Sequence, residues 1–593
     1  MTHRLDGAEA AVGALLGAGV TRGTPVAVAA GGAGSGIAAG GRCWAVTAPP
    51  AEVVRRVGSA LSPRWVWWSA RRTARPLVAA GVTVPACWDV AAVHRLLHGG
   101  SSDAPAQVWA VARGLDPQRV PRSGQLDLLR DTDAEEGDAG DPVRPDGYLR
   151  PDWADEPLRT PEQAAAWAAL ALELQGEQAE ALASATDPRR PPAQPPLAVL
   201  TAWSESAAEL LALELAATGL PVDVAAAAAL IAGHAGPRPV DEAAALASRQ
   251  ARDAVVRDLL PDGEQVDLRN PAQVRAMLAR LGFDVPDTRS WRLEPFRGAH
   301  PALDALLTWR RSERIATTYG YGWLDRHVGP DGRLRGEWRG CDGAAGRMTA
   351  SAGLHNLPAD LRSAVVAEPG HVFVRADLGQ VEPRVLAAVS GDEGLARATA
   401  GADLYSPVAE QLRCDRPSAK VAVLAAMYGQ TSGTAGEALR GLDRAYPSAM
   451  AYLRSAEERG RAGKDVRTYG GRRVPMWGVG AAVEPAVAAA RGRFARNAVV
   501  QGAAAELFKM WAATVRAGLT GLTGARGAGG AGQRAIVLCL HDELLLHVPE
   551  VSAEDTATLL HDALDRTAAR WAAGSGVRFV ADVSVLPRWS DAK

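Results

Sequence analysis

Two apolar segments in the C-terminal half of this chain run into acidic groups, and they constrain its fold more than any other feature. HVFVRAD (371–377) and RAIVLCL (534–540) read as buried strands, the first ending at Asp377 and the second leading into His541-Asp542-Glu543. A helical pattern, EPRVLAAVS, follows the first strand. Apolar runs flank the second acidic group on both sides and no Asn-Gly turn is present, so the acidic pair is predicted to occupy a hairpin tip. Ionised carboxylates at the inner ends of buried strands are costly unless something compensates them. A pair of Mg2+ ions about 3.5–4 Å apart, bridged by two Asp carboxylates, is the compensation that phosphoryl transfer uses. A lone Asp at a strand end is more often a solvated turn residue. Two such segments, with long helical patterns between them, suggest instead a sheet-floored site flanked by helical subdomains.

A third segment, RCDRPSAKVAVLAAMYGQ (413–430), supplies positive charge. Asp415 suits an N-cap and Pro417 the first helical turn, so a helix is predicted to start there. Arg416, Lys420, Leu424 and Tyr428 recur every four residues, drifting only about 40° per step around a helix. A helix N-terminus carrying Arg and Lys is an anion site, and a triphosphate matches it. Tyr428 lies about 12 Å beyond Lys420, where a base or sugar would be. Standing alone, the segment would read as an ordinary helix with an exposed basic start. The lysine adds weight, because the chain has only four (Lys420, Lys464, Lys509 and Lys593) against 61 arginines, as in a high-GC genome. Tyrosine is concentrated too: seven of eight fall between Tyr319 and Tyr469.

At 593 residues the chain is too long for one core. Its net charge of -2 excludes a globally basic binder but leaves room for a local basic groove. The five cysteines are scattered, without a CxxC or Cys/His cluster, so neither a disulfide framework nor a structural zinc site is expected. No membrane span and no export signal are read, so a cytoplasmic, nucleoid-associated protein is expected. Residues 1–185 are Ala-rich and weakly patterned. The acidic stretch 131–147 reads as a solvated loop, and DPRRPPAQPP (187–196) as an inter-domain linker. Helical patterns follow at 206–220, 240–260, after an Asn270-Pro271 cap, and at 300–319.

Together the three chemical segments resemble the polymerase motifs of family A DNA polymerases, the bacterial DNA polymerase I family. The first is similar to that family's D-Y-S-Q-I-E-L-R, here Asp377-Leu378-Gly379-Gln380-Val381-Glu382-Pro383-Arg384. The second matches R-x3-K-x7-Y-G, here Arg416, Lys420, Tyr428 and Gly429, and the third is the His-Asp-Glu of 541–543. AAGRMTASAGLHNLP (344–358) looks like the primer-contacting T-G-R-L-S-S segment, one residue shorter. RFARNAVVQGAAAELFKM (493–510) looks like the R-x3-N-x3-Q-G-x-A-A helix, and RSERIATTY (311–319) resembles the thumb helix. VSVLPRWSDAK resembles the closing strand, so the likeness covers roughly 205–593.

The resemblance implies an α/β multidomain (α+β) chain, a right-hand polymerase fold of palm, fingers and thumb preceded by a ribonuclease H-like exonuclease-type domain. The expected division is 1–190 exonuclease-like, 191–225 linker and start of palm, 226–328 thumb, 329–395 palm, 396–478 fingers and 479–593 palm. Asp377, Asp542 and the Leu378 carbonyl would hold two Mg2+ ions, with Mn2+ as an alternative, and Glu543 would support them. Arg416 and Lys420 would grip the phosphates of a deoxynucleoside triphosphate, with Gln380, Leu424 and Tyr405 lining its site. Glu382 beside Tyr428 would exclude a ribose 2′-hydroxyl. Arg347, Arg493, Asn497, Gln501, His541, Asn356 and Thr318 would contact primer-template DNA, and the enzyme would act as a monomer. The chain departs from the family at four places. Leu424 stands where an aromatic ring is usual, Tyr405 where a phosphate-binding His is common, Pro417 for a second Arg and Ala425 for a Gly. A slower enzyme with an altered response to dideoxynucleotides is expected.

In the N-terminal part the carboxylates that 3′–5′ exonuclease chemistry needs are missing from their expected places. The early strand VAVAAGGAGSGIAAGGRCWAV carries no acid, WVWWSARRTARPLVAAGV has Arg and Ala in the central position, and the late helix offers Trp167 without a suitable Asp. Asp89 reads as structural. A degenerate exonuclease fold acting as scaffold is expected, and no 5′-nuclease domain. The alternatives are an active bifunctional exonuclease and polymerase, a single-subunit RNA polymerase, which Glu382 beside Tyr428 opposes, and an inert DNA-binding paralogue, which the retained acids and cations oppose. A His-Asp phosphohydrolase would need further histidines.

Overall fold

The computed structural model describes residues 2–122, 140–261, 266–429, 435–478, 484–522 and 534–592. The chain divides into two compact units. One comprises Met1–Thr218, Glu337–Thr349 and Val374–Val585; the other comprises Gly219–Gly336, Ala350–Phe373 and Leu586–Lys593.

The first unit begins with a six-stranded mixed sheet of β1 (Thr2–Leu5), β2 (Pro25–Gly31), β3 (Gly34–Ala39), β4 (Arg42–Val46), β5 (Arg64–Trp67) and β6 (Cys87–Asp89), ordered β1-β4-β3-β2-β5-β6. Strands β2, β3 and β4 run antiparallel, whereas β1 lies parallel to β4 and β5 lies parallel to both β2 and β6. Period-2 alternation splits β2 between two cores: Val26 and Val28 face one, Ala27 and Ala29 the other. The helix Pro161–Ala183 lies on the second face, and glycine lets it come close, since a Cβ on Gly36 would fall 1.9 Å from the Ala165 nitrogen. Tryptophans fill the remaining space: Trp68, Trp88, Trp153 and Trp167 share this core with Ala27 and Ala29, and Trp68 stacks on Trp167 with centroids 4.8 Å apart. Asp89 caps the helix Val90–His98 by accepting the Ala92 N–H, and also accepts the Ala70 N–H at 2.6 Å. It is a structural cap, as its position suggested.

The Pro-rich stretch at 187–196 is an ordered segment. Buried Arg189 pairs with Asp187 and donates to the carbonyls of Arg570, Ala193 and Pro195. The helix expected from 206 begins earlier, at Leu197, directly after Pro196, and runs to Thr218. Its midpoint carries Glu205, fully buried, paired with Arg472 at 2.5 Å and with Lys509 of the long helix Pro485–Leu522. Arg95 pairs with Glu209 one turn further on at 2.6 Å. These bonds tie the helix to the helix Val90–His98 and to the C-terminal elements.

The second unit opens with the short pair β7 (Leu220–Pro221) and β8 (Arg333–Leu334). Helices Glu242–Arg257, Pro271–Arg280 and Pro301–Thr318 pack around Val256, Leu278, Leu303 and Trp309. Asn270 caps the second of them by accepting the Ala272 and Gln273 N–H groups. Asp253 accepts both Arg269 and the Trp309 indole, so a buried carboxylate fixes this bundle's register.

Returning to the first unit, β9 (Trp338–Asp342) pairs with β10 (Arg347–Ala350), and β12 (Val466–Arg467) with β13 (Arg473–Val474). A four-stranded sheet orders β14 (Ala535–Leu540), β15 (Glu543–Pro549), β11 (His371–Leu378) and β16 (Ala581–Leu586). Of the expected loop at 131–147, residues 131–139 lie outside the described residues, as does Lys593 at the end of the expected closing strand. Among the described residues no helix is long and apolar enough to cross a membrane.

Removing one partner of a buried ion cluster leaves uncompensated charge. Glu205→Ala strands Arg472 and Lys509, and should destabilise the protein by about 3–5 kcal/mol in denaturant unfolding. A loss below about 1 kcal/mol would show that the cluster contributes little net stability.

Candidate active site

Strand β11 and the β14–β15 hairpin bring the two predicted acids to one end of the four-stranded sheet. The Leu378 N–H donates to the Asp542 carbonyl at 2.8 Å, joining the residue after Asp377 to the hairpin tip. That tip is His541-Asp542, with Leu540 opposite Glu543. Glu543 is therefore the first residue of β15 and not part of the turn. His541 takes φ of 21°, a sparsely populated backbone for a residue with a Cβ, and its side chain is exposed.

Like charges crowd here. Burial first, and then the charge of Asp377, pushes Asp542 up to about 6. Asp377 is raised as well, by burial, although Arg375 pulls it back. Arg375 stands two residues before Asp377 on the same face of β11, and its Nη2 lies 2.8 Å from both Asp377 Oδ2 and Glu543 Oε2. Asp582 on β16 adds further negative charge near Asp377. Four carboxylates around one guanidinium make a cluster short of positive charge and rich in hard oxygen donors. That donor set fits Mg2+ or Mn2+, with Asp377 and Asp542 as the residues to hold it and buried Leu378 between them.

The cationic helix forms where predicted, over Arg416–Tyr428. Asp415 accepts the Ser418 N–H at 2.7 Å and Pro417 lies in the first turn. Gly429, at φ of 67°, stops the helix, and its missing Cβ would have been 3.3 Å from Arg493. Arg416 and Lys420 are both exposed, but Arg416 is engaged. Its guanidinium donates twice to Asp403, at 2.8 and 3.0 Å, and holds that carboxyl far below the usual range. Gln380, with φ of 55°, reaches the same loop, donating to Asp403 at 2.9 Å and accepting the Leu404 N–H at 2.7 Å. Tyr405 is buried with the Arg416 guanidinium 5.7 Å from its ring, and Leu424 is half-buried.

Further along the helix, Tyr428 donates to Glu382 at 3.0 Å, and Arg347 donates to the other Glu382 oxygen at 2.8 Å. Gln501 adds a hydrogen bond to Tyr428. Arg493, Asn497 and Gln501 share one face of the long helix, four residues apart. Arg493 is exposed, and the Asn497 Oδ1 is buried without a hydrogen-bond partner. Arg496 of the long helix joins the cationic helix through the Ala426 carbonyl at 2.6 Å and the helix Pro447–Arg461 through Glu457 at 2.9 Å. Thr318 and Asn356 belong to the second unit. Thr318 ends the helix Pro301–Thr318, and the Asn356 carbonyl accepts from Tyr319 at 2.9 Å and Arg314 at 2.7 Å. Sequence reading passed over Arg375 and Asp403. Strand alternation placed Arg375 beside Asp377, whereas the reach of Asp403 to Arg416 had no local signal.

The sequence model of DNA polymerase family A matches residues 259–591, more than half of the chain. The chain belongs to DNA polymerase family A. It is 32% identical over 301 residues to DNA polymerase I of Chloroflexus aurantiacus, a match covering 46% of this chain and 31% of that protein. Against the thermostable DNA polymerase I of Thermus filiformis it is 31% identical over 308 residues, 47% of this chain and 35% of the relative. The chain thus spans about a third of the length of these curated relatives. The POL domain of Pol1 from M. smegmatis, solved in complex with DNA primer-template and dNTP, superposes over 100% of both chains with a TM-score of 0.64 at 21% identity. The mixed α/β architecture is the family A polymerase fold.

Asp542 titrates higher in the folded chain than in the unfolded one. The folded state therefore holds an extra proton between about pH 4 and 6, and stability falls as pH rises through that window. Without divalent metal, Asp542→Asn should stabilise the protein by roughly 1–2 kcal/mol at pH 7.5, after allowance for partial solvation. The gain should vanish near pH 4 in urea unfolding; equal stability of the two proteins at both pH values would contradict it.

Proposed function

We propose that the chain is a DNA-templated DNA polymerase that adds deoxynucleotides to a primer 3′-hydroxyl, working as a monomer. The meeting of Asp377, near the end of β11, with Asp542, at the tip of the adjoining hairpin, is the observation that carries this reading. Asp377, Asp542 and the Leu378 carbonyl would hold two Mg2+ or Mn2+ ions, whose positive charge would lower the pKa of the 3′-hydroxyl and offset the charge on the pyrophosphate. The remaining work falls to side chains. Arg416 exchanges Asp403 for the triphosphate while Lys420, one turn along the same face, takes a second phosphate oxygen. Gln380 holds the Asp403 loop in place during that exchange, and buried Tyr405 supports the arginine from below.

Glu382 is fixed from two sides by Arg347 and Tyr428, so its carboxylate forms a rigid wall against a ribose 2′-hydroxyl. Leu424 completes the sugar side with a smaller surface than an aromatic ring. Arg347, Asn497 and Gln501 face minor-groove acceptors, which are alike in all correct pairs and so report geometry without reading sequence. Arg493, His541, Asn356 and Thr318 hold primer and template strands, and Glu543 supports the metal site through Arg375.

Proofreading is proposed to be lost from residues 1–190. The early strand that would carry acids instead directs Ala27 and Ala29 into a core with five buried tryptophans, where a metal and its carboxylates would be dry and crowded.

Primer extension with Mg2+ tests the polymerase reading. Asp542→Ala should lose about 10³-fold or more in rate while still binding primer-template, as removal of a metal ligand requires; near-wild-type extension ends the proposal. A 5′-labelled primer incubated with Mg2+ and no nucleotide should stay full length. Metal-dependent shortening abolished by an N-terminal substitution would restore the bifunctional reading.

A further inference from the structure

The carboxylate cluster contains its own cation. Arg375 is 8% exposed, donates from Nε to Glu543 Oε2 at 2.9 Å, and places Nη2 2.8 Å from Asp377 Oδ2. The same Nη2 is 2.8 Å from Glu543, so one nitrogen bridges carboxylates delivered by two strands. Both contacts follow from the backbone. Arg375 and Asp377 are two apart on β11, and β15, which begins at Glu543, is the neighbouring strand. An Arg on this face cannot avoid the acids, and its charge acts on whatever cation approaches them.

We propose that Arg375 is a built-in counter-cation of the metal site: it pairs Asp377 with Glu543 when no divalent ion is bound, gives up Asp377 when one binds, and so sets how much divalent metal the chain needs. This rests on reading Asp377 and Asp542 as metal ligands. The guanidinium presents a positive charge where a bridging ion would lie, and like charges a few ångströms apart in a half-buried site repel strongly. Asp377 must trade one electrostatic partner for another, which weakens metal binding. Glu543 keeps Arg375 anchored beside the site throughout, so Arg375 acts as a positioning residue through Asp377.

Mn2+ binding to the full chain, without DNA or nucleotide, tests this through the electron paramagnetic resonance signal of free Mn2+. Arg375→Gln and Arg375→Met should bind Mn2+ about tenfold more tightly than wild type, whereas Arg375→Lys, which keeps the charge, should stay within about twofold. In EDTA the neutral variants should melt below wild type and recover more on Mn2+ saturation. Unchanged or weaker binding by folded neutral variants overturns the proposal, as does a Lys variant as tight as Gln. If the neutral variants fail to fold in EDTA, Mn2+ should restore them, and failure to do so counts equally against it. Asp377→Asn and Asp542→Asn separate the underlying reading, which falls if neither weakens Mn2+ binding in the wild-type background, whatever Arg375 does.

Discussion

Strand pairing forces negative charge together at one end of the C-terminal sheet, and the site is organised around that constraint. The backbone bond from Leu378 to Asp542 sets the register of β11 against the hairpin tip. With register set, side-chain direction follows, because each residue on a strand points opposite to its neighbour. Asp377, Asp542 and Glu543 then crowd one another, and burial denies them the solvent that would ease the crowding. Cations gather in response: Arg375 between Asp377 and Glu543, and Arg347 on Glu382. A sheet that concentrates acids in this way is poised for multivalent cations.

Elsewhere in the first unit a second buried charge cluster joins elements far apart in sequence. Glu205, deep in the helix Leu197–Thr218, draws Arg472 from the β13 side and Lys509 from the long helix into one buried cluster. Lys509 lies two turns beyond Gln501 on that helix, so the same element anchors the interior and presents the polar face toward Tyr428. Its rarity in an arginine-rich chain has a physical reading here. A compact ammonium fits beside a fully buried carboxylate that already accepts a guanidinium, where a second planar fork would not.

Much of this was legible from sequence because it is local. The apolar strands, the hairpin without a glycine turn, and the helix capped by Asp415 each follow from short-range rules, and each forms over almost the residues expected. Family membership was legible for the same reason, since its motifs are contiguous. What escaped was pairing over distance. The helix read from 206 starts at 197, and its first half carries Glu205, buried by Arg472 and Lys509 hundreds of positions away, which no local pattern signals. Asp403 was passed over in favour of Tyr405, its louder neighbour, although the carboxylate and not the ring meets Arg416 through hydrogen bonds. Only a structure brings such partners onto one page.

Burial then separates the cations that can move from those that cannot. Arg384, fully buried, donates to the carbonyls of Gly379, Thr399, Arg578, Gly401 and Ala402, and leaving them would orphan five acceptors at once. It fixes the turn after Asp377 and can do little else. Arg416 makes two good bonds to Asp403, yet it is exposed, and an exposed pair contributes little because water replaces either partner readily. The pair therefore breaks readily, and while it lasts it keeps the guanidinium at the helix start. Arg375 lies between these limits, buried but held by carboxylates that a divalent ion also attracts. Placed side by side, the three arginines show one functional group in three settings, braced by five carbonyls, shared between two buried-strand acids, and loosely paired in solvent, with the degree of burial setting how readily each can change partners.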